Sequence, residues 1–470
     1  MKANLLWVPP VAMLISTGCM VGPDYKRPIT DAPENYKSGS HGTWKEGRPL
    51  DHQAKGNWWK IFGDDALNGL QSRAAGANQE AKAAIARVDQ ARATARTARS
   101  ELLPTLDANP SYTRQRFSSD QPNGGITVSN FRAPLDLSYE VDLWGRVRRG
   151  FESASADSQA SVAAYHNVLL VLQADVAQTY FALRSLDAEI SIIQSAISLR
   201  KEQVQLVRDR FETGVGNELD LSRAKTDLDF AESELAAIGK RRAELENALA
   251  ILIGENPSTF TFAAASSDRL AKWDPVPPKI PAGLPADLLE RRPDVAEAER
   301  KLAAANARIG VAKAAFFPSL SLTGSGGVVS GEMGDLFKMD SRAWSIGPSV
   351  SLPIFAGGRN QANLKRSEAA YEESVALYRQ RILVAFGEVE SSLSGIRFLA
   401  DQADSQNSAV ANSTRAAELA DTRYRTGIVG HLEVLDAFRD VLQAKRAKAQ
   451  ISGQRLIASA QLIKALGGGW

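Results

Sequence analysis

The sequence predicts a mainly α-helical protein with a transmembrane β-barrel portion, built from two long and several shorter coiled-coil helices plus four strands. Three observations carry that prediction. The chain is one unit written twice, its helical stretches hold a seven-residue apolar period, and two segments alternate apolar with polar residues.

Adding 213 to Arg146, Gly214 and Gly254 gives Arg359, Gly427 and Gly467, and RFETGVGNELDLSRA (210–224) returns as RYRTGIVGHLEVLDA (423–437). Upstream, ELLPTL at 101–106 aligns with AFFPSL at 315–320 at an offset of 214. The copies span about 64–257 and 285–470. Between them lies a crossover at 258–284, where prolines in WDPVPPKIPAGLP block both helix and sheet ladders.

Ahead of the first copy, Lys2, the apolar stretch from Leu5 to Ile15 and the small residues Ser16, Thr17 and Gly18 read as an export signal over 1–18. Cys19 is the only cysteine of the 470 residues, so no disulfide framework or thiolate metal cluster is available. Its place just after the signal makes it the lipid-carrying first residue of a lipid-anchored segment, 19–63. Ser16 stands where an aliphatic residue is usual in a lipobox. Charged residues are 23% and the net charge is +2, so neither a nucleic-acid-binding surface nor a disordered acidic tail is indicated. No later segment supplies the roughly 18 uncharged apolar residues of a membrane-spanning helix.

Each copy opens on an alanine-rich helix, about 64–101 in the first, followed by a β-hairpin at about 104–144 and, in the second, at about 318–355. In NFRAPLDLSYEVDLW, Phe131, Ala133, Leu135, Leu137, Tyr139, Val141 and Leu143 fall on one face, with Arg132, Asp136, Ser138, Glu140 and Asp142 on the other. WSIGPSVSLPIF places Trp344, Ile346, Pro348, Val350, Leu352 and Ile354 together. Ten residues of period two suit a strand between lipid and lumen. Four strands cannot close a barrel, and a bare edge cannot face hydrocarbon, so the chain must join its copies. Two copies would give eight strands filled by side chains; three give twelve, with room for a pore.

After each hairpin runs a long helix, about 148–212 in the first copy. Val162, Tyr165, Leu169, Leu172, Val176, Thr179, Leu183, Leu186, Ile190, Ile193, Ile197, Arg200, Val204, Val207 and Phe211 alternate by threes and fours through seven heptads, a coiled-coil seam. The second copy keeps the register from Val375 to Tyr424. Gly214 and Gly427 then supply the left-handed residue that ends each long helix, and a shorter helix runs back, about 217–252 in the first copy. Two short helices stacked end to end match one long one.

GCMVGPDYKRP, WWKIFGDDAL, DLWGRVRR, RRPD, the paired glycine tips and the LGGGW end resemble the lipoprotein branch of the TolC-like outer membrane factors over nearly the whole mature chain. The resemblance implies a homotrimer: a β-barrel in outer-membrane lipid above an α-helical tunnel in the periplasm. It implies a periplasmic adaptor protein and an inner-membrane pump of the RND type as partners. The function implied is a passive efflux duct for drugs or other small toxic compounds; the alternatives are a channel for protein secretion and a non-conducting coiled-coil tether.

It further implies that the tips built on Gly214 and Gly427 line the periplasmic mouth and dock the adaptor or pump. Asp220 and Tyr424 match positions that link the closed mouth, and Asp421, preceding Arg423, matches an acidic gate residue. Where the family has an arginine five residues past the tyrosine, this chain has Val429. Glu433 and Asp436 share a helix face and match an acidic ring inside the mouth. RRPD reads as a helix start with Pro293 and Asp294 in the first turn. GSGGVVSG lacks the Lys-Ser/Thr of a phosphate loop. The four histidines form no metal pattern, and His431 reads as an exposed bystander near a tip. No cofactor is implied, and no nucleophile, base and orienting group recur to support catalysis.

Overall fold

The computed structural model describes residues 20–28, 56–120, 124–265, 275–280 and 291–468. Cys19, the signal and much of the crossover lie outside the described residues. The elements are α1 (Asp65–Ala77), α2 (Gln79–Ser100), β1 (Thr105–Ala108), β2 (Ser111–Arg116), β3 (Thr127–Val141), α3 (Arg146–Glu212) and α4 (Glu218–Leu252). They continue with α5 (Pro293–Ala314), β4 (Ser319–Ser330), β5 (Arg342–Ser351), α6 (Arg359–Arg425) and α7 (His431–Ala465). The duplication is therefore structural: α3 and α6 are both 67 residues long, and α4 and α7 both 35. Gly145 and Gly358, Gly214 and Gly427, and Gly254 and Gly467 all hold positive φ at matching turns.

Two features of the first copy differ from expectation. The opening helix is two helices, because Asn78 leaves helical geometry and caps α2, its Oδ1 accepting from the Ala81 N–H. The first strand of the hairpin expected at about 104–144 is split at Asn109–Pro110, although the pairing sum with β3 does not change across the gap. Pro110 has no N–H, and neither does Pro134, the residue that register places opposite Asn109. The ladder loses bonds there without slipping.

Compact unit one contains 20–28, 87–162 and 297–379 of the described chain. Its sheet is antiparallel throughout, in the order β1-β3-β4-β5 with β2 continuing β1 along β3. Register places Leu106, Leu137, Gly324 and Ile346 in one rung and Asp107, Asp136, Ser325 and Ser345 in the next. Opposed residues share a face, so the first rung belongs to an apolar face and the second to a polar one. The apolar face is exposed, Trp344 and Ile346 at 81%. On the polar face Asp136 accepts from Ser325 Oγ at 2.7 Å and Asn109 Nδ2 at 3.1 Å.

DLWGRVRR is the joint from sheet to helix. Asp142 caps α3 through the N–H groups of Val147 and Arg148, Arg146 donates twice to Glu140 at 2.7 Å, and Gly145 makes the turn. The strap Met20–Pro28 crosses this joint: the Val21 N–H donates to the Trp144 carbonyl, and Arg149 Nη2 donates to Asp24 at 2.7 Å. Further along, Arg27 donates to Tyr378 and pairs with Glu299.

Compact unit two contains 56–86, 163–265, 275–280, 291–296 and 380–468 of the described chain. Its core gathers Trp58, Trp59, Leu67, Leu70, Tyr180, Phe181, Leu183, Leu249, Leu456 and Ile463, which gives WWKIFGDDAL its role. Asp64 of that motif caps α1 and accepts from Tyr180 OH. The expected stacking of short helices is present twice. Asn78 Nδ2 donates to the Leu252 carbonyl where α4 meets α2. Arg292 Nη1 donates to the Ala465 carbonyl where α7 meets α5. RRPD thus starts α5 at Pro293, and Asp294 also takes both ends of the Arg292 fork.

Candidate functional site

Unit two also holds both hairpin tips. At each, the long helix ends in a Schellman motif. Gly214 N–H donates to the Phe211 carbonyl and Val215 N–H to that of Arg210; Gly427 and Ile428 repeat this with Tyr424 and Arg423. Both glycines are exposed, and a Cβ on either would touch nothing within 4 Å, so glycine is required by φ alone. The tips differ in how the return helix starts. Asn217 caps α4, its Oδ1 accepting from the Asp220 N–H at 2.8 Å, whereas Gly430 precedes α7 with no side-chain cap.

Asp220 sits in the first turn of α4, its carboxylate accepting from Asn217 Nδ2 at 3.0 Å. Asp421 pairs along its own helix with Arg425 at 2.7 Å, while its Oδ1 is buried without a hydrogen-bond partner among the described residues. Arg423 is exposed. Glu433 and Asp436 are both exposed near the start of α7, and Asp436 lies 3.7 Å from Arg439.

Tyr424 is the residue through which the two tips meet. It is buried, the Arg210 guanidinium of α3 lies 4.4 Å from its ring centroid, and the His431 ring lies 5.4 Å away. His431 is not an exposed bystander: only 2% of it is accessible, and neither ring nitrogen has a hydrogen-bond partner among the described residues. Burial pushes its pKa below the ordinary 6.5, with Asp220 and Asp227 opposing and Arg210 reinforcing that shift.

About two to three turns above the tips lies a linkage that the sequence reading missed. Arg200, a polar interruption of the α3 stripe, is buried and donates to Asp227 of α4, which also accepts from Arg439 of α7 at 2.7 Å. Seven residues on, Glu234 of α4 pairs with Arg446 of α7. Acids on α4 thus meet arginines on α7 at heptad spacing, the same offset of 212 in both pairs. The signal was available as a charged residue inside an otherwise apolar seam, a position that demands a partner.

A family model described as outer membrane efflux protein matches residues 70–255 and 284–468. The chain is 34% identical over 470 residues to the solvent efflux pump outer membrane protein SrpC of Pseudomonas putida, covering 98% of each. It is 32% identical over 457 residues to the cation efflux system protein CusC of Escherichia coli, covering 97% of each. It superposes on the outer-membrane channel OprN with a TM-score of 0.86 at 31% identity, covering 96% of this chain and 100% of that one. The chain belongs to the outer membrane efflux protein family and serves as the outer-membrane channel of an efflux system.

Proposed function

We propose that three copies of this chain close their sheets into one twelve-strand barrel and their helices into a tunnel, forming a passive exit duct for drugs or other small toxic compounds. The observation that carries this reading is the sheet. It has one exposed apolar face, one serine- and aspartate-rich face, and margins at β1/β2 and β5 with no further strand among the described residues. Lipid against the first face, water against the second and copies at the margins satisfy all three at once.

The helices supply a second support. On α6, Val384, Phe398 and Leu419 are exposed at multiples of seven residues, with Ser391, Ser405 and Asn412 at the positions between, and Phe398 is 63% exposed. Such a seam calls for another helix, and a neighbouring copy provides it. In this reading Cys19, the residue before Met20 in the sequence, carries the lipid anchor. An adaptor and an RND-type pump load the duct from the inner membrane and engage the tips at Gly214 and Gly427. Asp421 holds the resting gate with Asp220, Arg423 and Tyr424, and Glu433 with Asp436 gives six carboxylates around the mouth.

The test is single-channel recording of the detergent-extracted particle in planar bilayers. The expected result is a three-chain particle that conducts with cation preference, lost in Glu433→Gln with Asp436→Asn. A monomer that carries no current overturns the duct, and unchanged selectivity in the double variant overturns the ring.

A further inference from the structure

Between α3 and α7, within unit two, lies a cleft of about 500 Å3, inside the range of about 300–1,000 Å3 found for small-molecule sites. Its walls are mainly apolar, with Ile192, Ala196 and Leu199 on one side and Leu435, Phe438 and Leu442 on the other, and Lys445 and Lys448 line it further along α7. Its tip-side end is polar and includes Gln203, Asp227 and His431. Asp227 is engaged by Arg200 and Arg439. The other two have hydrogen-bonding capacity left unmet. His431 is 2% accessible with both ring nitrogens unpartnered, and Gln203 is 7% accessible with Oε1 unpartnered, among the described residues.

Buried polar groups without partners are uncommon, and two lining the same cleft mark unused capacity for one acceptor and one imidazole. We propose that this cleft binds a small neutral amphipathic molecule, an aromatic body against the apolar walls and a hydroxyl or amide head between His431 and Gln203. The head is uncharged because the two unpartnered groups it meets are themselves uncharged: the one carboxylate lining that end is already held by two guanidiniums, which leaves nothing for a cation, and Lys445 and Lys448 lie fourteen and seventeen residues further along α7 from His431. A hydroxyl fits both groups, donating to Gln203 Oε1 and accepting from the His431 ring N–H. Because α3 belongs to the first hairpin and α7 to the second, the bound molecule ties the hairpins together. That consequence, unlike the binding itself, rests on the gate reading.

The experiment uses the full chain and 4-phenylphenol as the probe. Ser195, which lines the cleft and is exposed, is changed to cysteine, with the unsubstituted chain giving the background from Cys19. Saturating 4-phenylphenol is expected to slow alkylation of Ser195→Cys by N-ethylmaleimide. His431→Phe or Gln203→Leu is expected to weaken that protection about five- to ten-fold, the loss for one hydrogen bond, and biphenyl, which forgoes both hydrogen bonds, is expected to protect more poorly still. Absence of protection, or equal protection by biphenyl, overturns the proposal. So does a Ser195→Cys thiol that is unreactive without probe, since another copy then covers the cleft. Wild-type crystals soaked in 4-(4-bromophenyl)phenol give a readout independent of any variant: bromine anomalous density in the cleft supports the site, and its absence at saturation overturns it. Conductance is not measured in either arm, so failure here leaves the duct reading standing.

Discussion

The helices α3 and α6 have equal length and matching ends, yet their second faces meet different surroundings. Subtracting 213 from Val384, Phe398 and Leu419 gives Val171, Ser185 and Leu206, and each of these is less exposed than its counterpart. Ser185 is buried because α7 lies on it: its hydroxyl donates to the Ala449 carbonyl, and Gly453 leaves no room for a Cβ, which would sit 2.6 Å from the Ser185 Cβ. Phe398 has no such cover. The repeat thus buries this face of the long helix in one copy and leaves its equivalent exposed in the other.

The largest difference between the copies is expected at Asp227 and its repeat equivalent, Asp440. Asp227 is buried against Arg200 and reaches Arg439, while Asp440 is exposed. Asp227→Ala leaves the Arg200 guanidinium buried without its carboxylate, at a cost of about 3–5 kcal/mol. Asp440→Ala is expected to stay within about 0.5 kcal/mol. Unfolding midpoints of the two variants in one detergent check this, and equal shifts would mean that the buried pair is not what separates the copies.

A smaller difference should appear at the tips. Gly214→Ala and Gly427→Ala each force a side chain into the left-handed region, at about 1–2 kcal/mol, and the open space around both makes the two costs equal. The caps are not equal. Asn217→Ala removes a side-chain acceptor from α4 and costs about 1 kcal/mol, whereas Gly430→Ala removes none. Hydrogen exchange in the first turns of α4 and α7 reads this directly. Faster exchange in α4 alone for Asn217→Ala is expected, and no change there would deny the cap its role.

Periodic features were legible in the sequence because they repeat. The heptad stripe, the alternating strands and the duplicated glycines each leave several residues in a fixed register, and all reappear in the elements. Single-residue events were not. Nothing in the spacing says that Asn78 breaks a helix, since asparagine inside an alanine-rich run is tolerable until a neighbouring carbonyl, here that of Leu252, attracts its amide. The split at Pro110 needed the position of Pro134 on the paired strand. At the candidate site the residue types were legible and their contacts were not. Tyr424 matched a linking position through the family resemblance alone, and that it meets Arg210, and that His431 is sealed beside it, depends on how two hairpins 213 residues apart lean together.

His431 gives the smallest and most specific of the expected differences, because its repeat equivalent is Glu218, which is exposed. The folded chain holds the imidazole neutral, its pKa below 6.5 through burial, despite the pull of Asp220 and Asp227. The unfolded chain therefore binds more protons than the folded one in the interval between the folded and unfolded values. Stability is complete above the unfolded value and declines as pH falls through 6.5 toward the folded value, then flattens. Protonation also places a second cation beside the Tyr424 ring that Arg210 already covers, so the contact weakened is the one joining the tips. Unfolding midpoints between about pH 7.5 and pH 5 should thus fall with acid in the wild type and lose part of that slope in His431→Phe. Glu218→His, an exposed histidine at the equivalent turn, should add no slope, because its value would be alike in both states. A wild-type slope unchanged by His431→Phe would assign the acid sensitivity elsewhere and leave the buried imidazole without influence on the tip.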